Sequence, residues 1–164
     1  MKRLVLAAFI AFCGPALAEE PATLAIWRED SGSLPPAYAW DTKVMFFADR
    51  SITVRHCKGY ADEAPGCYSV GAMLSPEEFA LLELALDRQA RVLAAIRPGE
   101  DTDPPIGGGS RSGTLFFNGK PIALPAFPSA KDAKAVNAAL DILVAATPTE
   151  VLEEAIAKAI GPGD

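Results

Sequence analysis

Residues 51–74 read Ser-Ile-Thr-Val-Arg-His-Cys-Lys-Gly-Tyr-Ala-Asp-Glu-Ala-Pro-Gly-Cys-Tyr-Ser-Val-Gly-Ala-Met-Leu. Both ends of this stretch alternate. Ile52, Val54 and His56 fall on one face, and Thr53, Arg55 and Cys57 on the other. Further on, Tyr68, Val70, Ala72 and Leu74 alternate with Cys67, Ser69, Gly71 and Met73. A period of two is the signature of a strand with two different faces.

One pairing satisfies both halves at once. With the two segments antiparallel and Cys57 opposite Cys67, Arg55 faces Ser69 and Thr53 faces Gly71 on the cysteine side. On the other side His56 faces Tyr68, Val54 faces Val70, and Ile52 faces Ala72. A slip of one residue would part the cysteines and scatter the apolar set. Directly opposed residues of a non-hydrogen-bonded pair also lie at a separation that a disulfide spans. The connecting loop, 58–66, is polar and contains Gly and Pro. The stretch is therefore predicted as a disulfide-bridged hairpin. By the chain-entropy model, closing a loop of about 11 residues contributes on the order of 2.5–3 kcal/mol.

The bridge requires an oxidising compartment, and the N-terminus points to one. Met1, Lys2 and Arg3 form a short cationic start, Leu4 to Phe12 an apolar run, and Ala16-Leu17-Ala18 a small-x-small cleavage site. This three-part layout predicts a cleaved signal peptide over 1–18. The apolar run is shorter than the roughly 20 residues a membrane span needs, and no later segment reaches that length. Cys13 leaves with the leader, because bulky Phe12 stands where a lipoprotein carries a small residue. The expected mature chain, 19–164, is long enough for one globular domain with its own core. It is expected to be periplasmic or secreted. Losing Lys2 and Arg3 lowers the basic residues from 15 to 13 against 21 acidic ones, a net charge of about −8. Such a surface repels phosphate backbones, and no basic patch with interleaved aromatics is present. Nucleic acid is not an expected partner.

Outward from the hairpin, 22–27 and 44–48 are predicted as strands, with 30–36 a loop and Asp49-Arg50 a tight turn. Ser75, Pro76 and Glu78 make a capping box, and Phe79, Leu82, Leu86, Ala90 and Leu93 follow at helical spacing. Arg97-Pro98-Gly99 should stop this helix. Residues 99–113 read as a mobile loop. Leu115 to Phe117 and Lys120 to Leu124 read as a second hairpin around Asn118-Gly119, a type I′ pair. Pro121 cannot donate to a ladder and puts its strand at an edge. Ser129 with Asp132, and Thr147 with Pro148 and Glu150, resemble helix starts ahead of two further apolar stripes. The predicted fold is α+β: an antiparallel sheet of about four to five strands, built on two hairpins, with two or three helices on one face.

No catalytic motif stands out. His56 and Cys57 are adjacent, but neighbours on a strand point to opposite faces, and a bridged Cys57 has no thiolate to offer. Met45, Met73, Cys57, Cys67 and His56 are the soft ligands a copper(I) site would need. Met73, however, lies ~20 Å along its strand from Cys67, at ~3.3 Å per residue, and Met45 reads as core. Zinc lacks a His cluster or Cys-x-x-Cys. Gly107-Gly108-Gly109-Ser110 lacks the Lys of a phosphate-binding loop. Acidic pairs such as Glu77-Glu78 and Glu153-Glu154 fit caps and solvent faces. No cofactor or metal is expected.

Tyr38 and Trp40 read as packing at the core rim, and Tyr60 as an interaction residue within the bridged loop. His56, Tyr60 and Tyr68 are the candidate binding residues. The function expected from sequence is an exported accessory or interaction protein with a protein partner. An enzyme with an unrecognised carboxylate site and a soft-metal or thiol-redox protein are the alternatives.

Overall fold

A computed structural model describes residues 21–63, 66–101 and 107–160. The expected leader lies outside the described residues. Among the described residues six strands form one antiparallel sheet: β1 (Thr23–Asp30), β2 (Trp40–Phe47), β3 (Ser51–Lys58), β4 (Cys67–Met73), β5 (Ser110–Phe117) and β6 (Lys120–Leu124). Three helices among the described residues, α1 (Pro76–Ile96), α2 (Ala133–Ala145) and α3 (Thr149–Ile160), complete the α+β fold. The strand order is β4-β3-β2-β1-β5-β6, one strand more than the sequence reading allows for.

The β3–β4 register is the one read from sequence: Cys57 opposite Cys67, His56 opposite Tyr68, Val54 opposite Val70, and Ile52 opposite Ala72. The two cysteines form a disulfide. The second hairpin turns at Asn118 (φ 51°) and Gly119 (φ 71°), the left-handed pair a type I′ turn requires. Pro121 sits on edge strand β6.

All three helices lie on the face carrying Ala25, Trp27, Thr42, Val44, Phe46, Ile52, Val54 and His56, every one buried. α1 and α2 pack on each other and on the β1, β5 and β6 side, while α3 covers β3 and β4. Ser75 caps α1 in a full capping box with Glu78. The stripe Phe79, Leu82, Leu86, Ala90 and Leu93 is buried, and Arg97 ends the helix in a left-handed conformation. Within the described residues no single helix is long and apolar enough to cross a membrane.

Several local readings need correction. β2 begins at Trp40, four residues before the expected start, because Asp41, Thr42 and Lys43 find ladder partners on both neighbouring strands. β5 begins at Ser110 rather than Leu115. Its Gly113 reads as loop in sequence, yet a Cβ there would meet the Ile26 carbonyl oxygen at 2.6 Å and Leu140 at 3.2 Å. Tight packing, not mobility, selects that glycine. The 99–113 segment is also tied down at its start, where Asp101 N–H donates to Phe127 O and Ser129 N–H to Gly99 O. Residues 102–106 lie outside the described residues.

Two expected caps do other work. Asp132 stands before α2 but makes no side-chain cap bond. Its carboxylate accepts instead from Gly99 N–H at 3.1 Å and Ser129 Oγ at 2.7 Å, linking the end of α1 to the start of α2. Those two bonds hold its pKa below the usual carboxylate value. Thr147 accepts from Trp27 Nε1 at 3.0 Å and donates to Leu143 O at 2.9 Å, a buried link between sheet and helix.

Candidate functional site

The helix-covered face is not sealed along its whole length. Where the C-terminal ends of β1 and β3 meet the start of β2, α3 leaves a cavity of about 560 Å³. Trp27, Tyr38, Trp40, Thr42, His56, Leu152 and Ile156 line it, with Glu29 and Lys58 contributing one charge of each sign. The volume suits a small organic molecule, and such sites are characteristically apolar with a few placed polar groups.

The polar centre is a cross-strand pair. Thr42 and His56 are directly opposed on β2 and β3, and Thr42 Oγ1 lies 2.8 Å from His56 Nδ1. Both residues are buried. The Trp40 and His56 rings lie nearly parallel, with centroids 6.0 Å apart and planes inclined by 23°. Burial pushes the His56 pKa below its ordinary value, while the Asp41 carboxylate partly opposes this. The neutral imidazole is thus the favoured form. The bond to Thr42 occupies Nδ1 and leaves Nε2 for another partner. A threonine hydroxyl can donate or accept. The pair can therefore present Nε2 to the cavity as an acceptor or, with the other tautomer, as a donor.

A strap over residues 31–40 builds the rim. Ser31 N–H donates to Trp40 O at 3.0 Å, and Trp40 N–H donates to Ser31 Oγ at 2.9 Å, closing the strap at its base. Tyr38 and Ala39 N–H both donate to Pro35 O. The strap is then pinned to the bridged hairpin: Gly59 N–H donates to Ala39 O at 2.6 Å, and Tyr60 Oη donates to Leu34 O. Gly59 has φ 68°, and a Cβ there would press on Pro36 O at 3.2 Å, so glycine suits the contact twice over. Arg55, on the outer face, donates to the Asp62 carbonyl and steadies the same loop. The disulfide at the loop base is thereby coupled mechanically to the cavity rim.

The structure separates the three candidate binding residues. His56 lines the cavity. Tyr60 is 66% exposed and touches the strap from outside. Tyr68 opposes His56 in register but is 42% exposed on edge strand β4. Its ring faces Lys158 Nζ at 5.1 Å. Besides this register pairing with Tyr68, His56 stacks on Trp40 of β2. Tyr38 is 71% exposed and forms the outer lip. Met45, read as core, alternates onto the open face of the sheet, since it pairs with Ile26 and Thr53.

Sequence reasoning missed Trp27, Thr42, Leu152 and Ile156 as cavity residues. Thr42 carried a faint signal as the polar inward residue ahead of Val44 and Phe46. The other three look like core in any amphipathic element.

Chemically, the site can hold an apolar, flat group against two indoles and offer it one hydrogen bond at its floor. Among the described residues the one carboxylate lining the cavity, Glu29, is ion-paired with Arg111 at 3.1 Å. Among the described residues no group of three or more His, Cys, Asp or Glu side chains is placed to hold a metal ion. No family model and no curated protein matches this chain.

Proposed function

We propose that the mature chain is an exported accessory protein that works by binding a small, uncharged, largely planar ligand in the cavity between α3 and the sheet. The observation that carries this reading is the composition of that cavity. Two tryptophans, a tyrosine lip and two aliphatic residues of α3 surround the buried Thr42–His56 hydrogen-bonding pair. Flat apolar surface provides affinity in proportion to the area removed from water, and one buried polar pair provides orientation. A neutral imidazole favours an uncharged group beside it, because a charge desolvated there, with no charged atom in contact, would be costly. The Cys57–Cys67 bridge supports an extracytoplasmic location, in keeping with the leader-like N-terminus.

Intrinsic fluorescence tests the reading directly. The chain has two tryptophans, and both line the cavity. Titration with 2-naphthol and with indole should shift or quench this emission saturably, with Kd in the micromolar to low millimolar range. Trp40→Ala should weaken binding at least tenfold, read by calorimetry. The reading fails if neither probe binds the disulfide-intact protein, or if both bind Trp40→Ala equally well.

A further inference from the structure

The two edges of the sheet are built differently. β6 carries Lys120 and Pro121, a charge and a missing donor, both devices that discourage strand addition. β4, Cys-Tyr-Ser-Val-Gly-Ala-Met, carries neither over its seven residues. Its ladder phase shows which groups face outward. Lys58 N–H bonds Gly66 O and Leu74 N–H bonds Arg50 O. Cys57 and Cys67 form a close pair with Cα atoms 4.0 Å apart, which marks a non-hydrogen-bonded position. Residues 68, 70 and 72 therefore bond to β3, and 67, 69, 71 and 73 turn their backbone N–H and C=O outward. Cys67 N–H is already taken by Glu63 O. The open run is Ser69, Gly71 and Met73, centred on Gly71.

We propose that β4 pairs antiparallel with β4 of a second copy of this chain, about a two-fold axis at Gly71. The run is self-complementary in that register. Gly71 meets its own copy, and Ser69 meets Met73 of the other chain. On the helix-covered side Val70 meets Ala72, and Tyr68 meets Leu74. No charge meets its like. Gly71 has no other evident reason to be glycine: its φ is not left-handed, and a Cβ would find only Ile52 O, at an ordinary 3.8 Å. A strand-interior glycine weakens the strand and often marks the close approach of another backbone. At the two-fold axis, any side chain would stand opposite itself. Met73, 59% exposed, would lie beside the partner's Ser69 on the open face of the joined sheets.

Sedimentation equilibrium on the mature, disulfide-intact protein should show a reversible dimer. Gly71→Lys puts two ammonium groups opposite each other at the axis, where like charges repel, and has room within one chain. It should raise the dimer dissociation constant at least tenfold with an unchanged circular dichroism spectrum. Gly71→Cys should cross-link to a covalent dimer under mild oxidation, since directly opposed residues of a hydrogen-bonded pair lie about 5.5 Å apart. Ser69→Cys should not cross-link with itself, being two residues off the axis and so about 13 Å from its copy along the strands, at ~3.3 Å per residue. A monomer at all concentrations overturns the proposal, as does a dimer indifferent to Gly71→Lys or one in which Ser69→Cys cross-links as readily. None of these readouts depends on whether the cavity binds a ligand.

Discussion

The two halves of the helix-covered face are made from the same sheet and end differently. Over β1, β5 and β6, the paired helices α1 and α2 press Leu86, Leu93, Val136, Leu140 and Leu143 onto Leu115 and Leu124, all buried. Over β3 and β4, the single helix α3 contacts the sheet through Val151, Ala155 and Ala159. Small residues let α3 lie close to Val54 and Val70, but one short helix cannot also cover the ends of β1, β2 and β3. There the inward positions change from Phe46 and Ile52 to Thr42 and His56. Dense packing stabilises the fold. The half with spare volume and a polar floor is the half in which we place the proposed ligand.

Truncation in each half sets the sharpest contrast. Leu93→Ala or Leu143→Ala, at fully buried positions, should cost about 2–5 kcal/mol in urea unfolding. Ile156→Ala at the cavity wall should cost about 1 kcal/mol or less, because its space is already partly open, while weakening 2-naphthol binding severalfold. Equal losses of stability would erase the distinction between the halves.

The disulfide should matter to both properties. Replacing Cys57 and Cys67 by Ser should lower stability by on the order of 2.5–3 kcal/mol. It should also loosen the Gly59 and Tyr60 contacts to the strap, and so reduce probe affinity more than Ile156→Ala does. Calorimetry and equilibrium unfolding on the same sample read both effects. Unchanged affinity in the protein with both cysteines replaced by Ser would show that the rim stands without the bridge.

The Trp27–Thr147 bond joins the two halves. Thr147→Val leaves a buried indole N–H unpaired and should cost about 1–3 kcal/mol in thermal or urea unfolding. Ligand affinity should hardly change, since the indole plane stays in place.

His56 supplies the smallest effect and the most specific one. Burial depresses its folded-state pKa below the unfolded value near 6.5. Below about pH 6.5 the unfolded chain takes up a proton that the folded chain still refuses, so stability falls as pH drops toward the folded pKa and then levels. The slope is bounded by about 1.4 kcal/mol per pH unit. His56→Gln should flatten this segment of the stability curve. A His56→Gln profile that parallels the parent between pH 7 and 5 would mean that the imidazole is not protected from protonation.

Much of the fold was legible because its signals are local. Alternation in 51–57 and 67–74, with a cysteine at the matching end of each, specified one register. Ser75-Pro76-Glu78 announced α1, and Asn118-Gly119 announced a hairpin. The misreadings share a cause. Thr42, Gly113 and Thr147 have the composition of loops and caps, and each is held by a partner remote in the chain: His56, Leu140 and Trp27. The candidate site fared likewise. His56 was visible as a lone histidine, but the indoles and α3 residues around it look like ordinary core.

By itself the sequence determined the elements, the β3–β4 register and the disulfide, because each depends on residues close enough in the chain for their spacing to carry geometry. Only the tertiary structure decided that β1 lies between β2 and β5, that α3 alone covers one half of the sheet, and that a cavity opens at Thr42 and His56. Those features come from the packing of surfaces far apart in sequence, where the volume left between elements is a property of the assembled molecule and of no single segment.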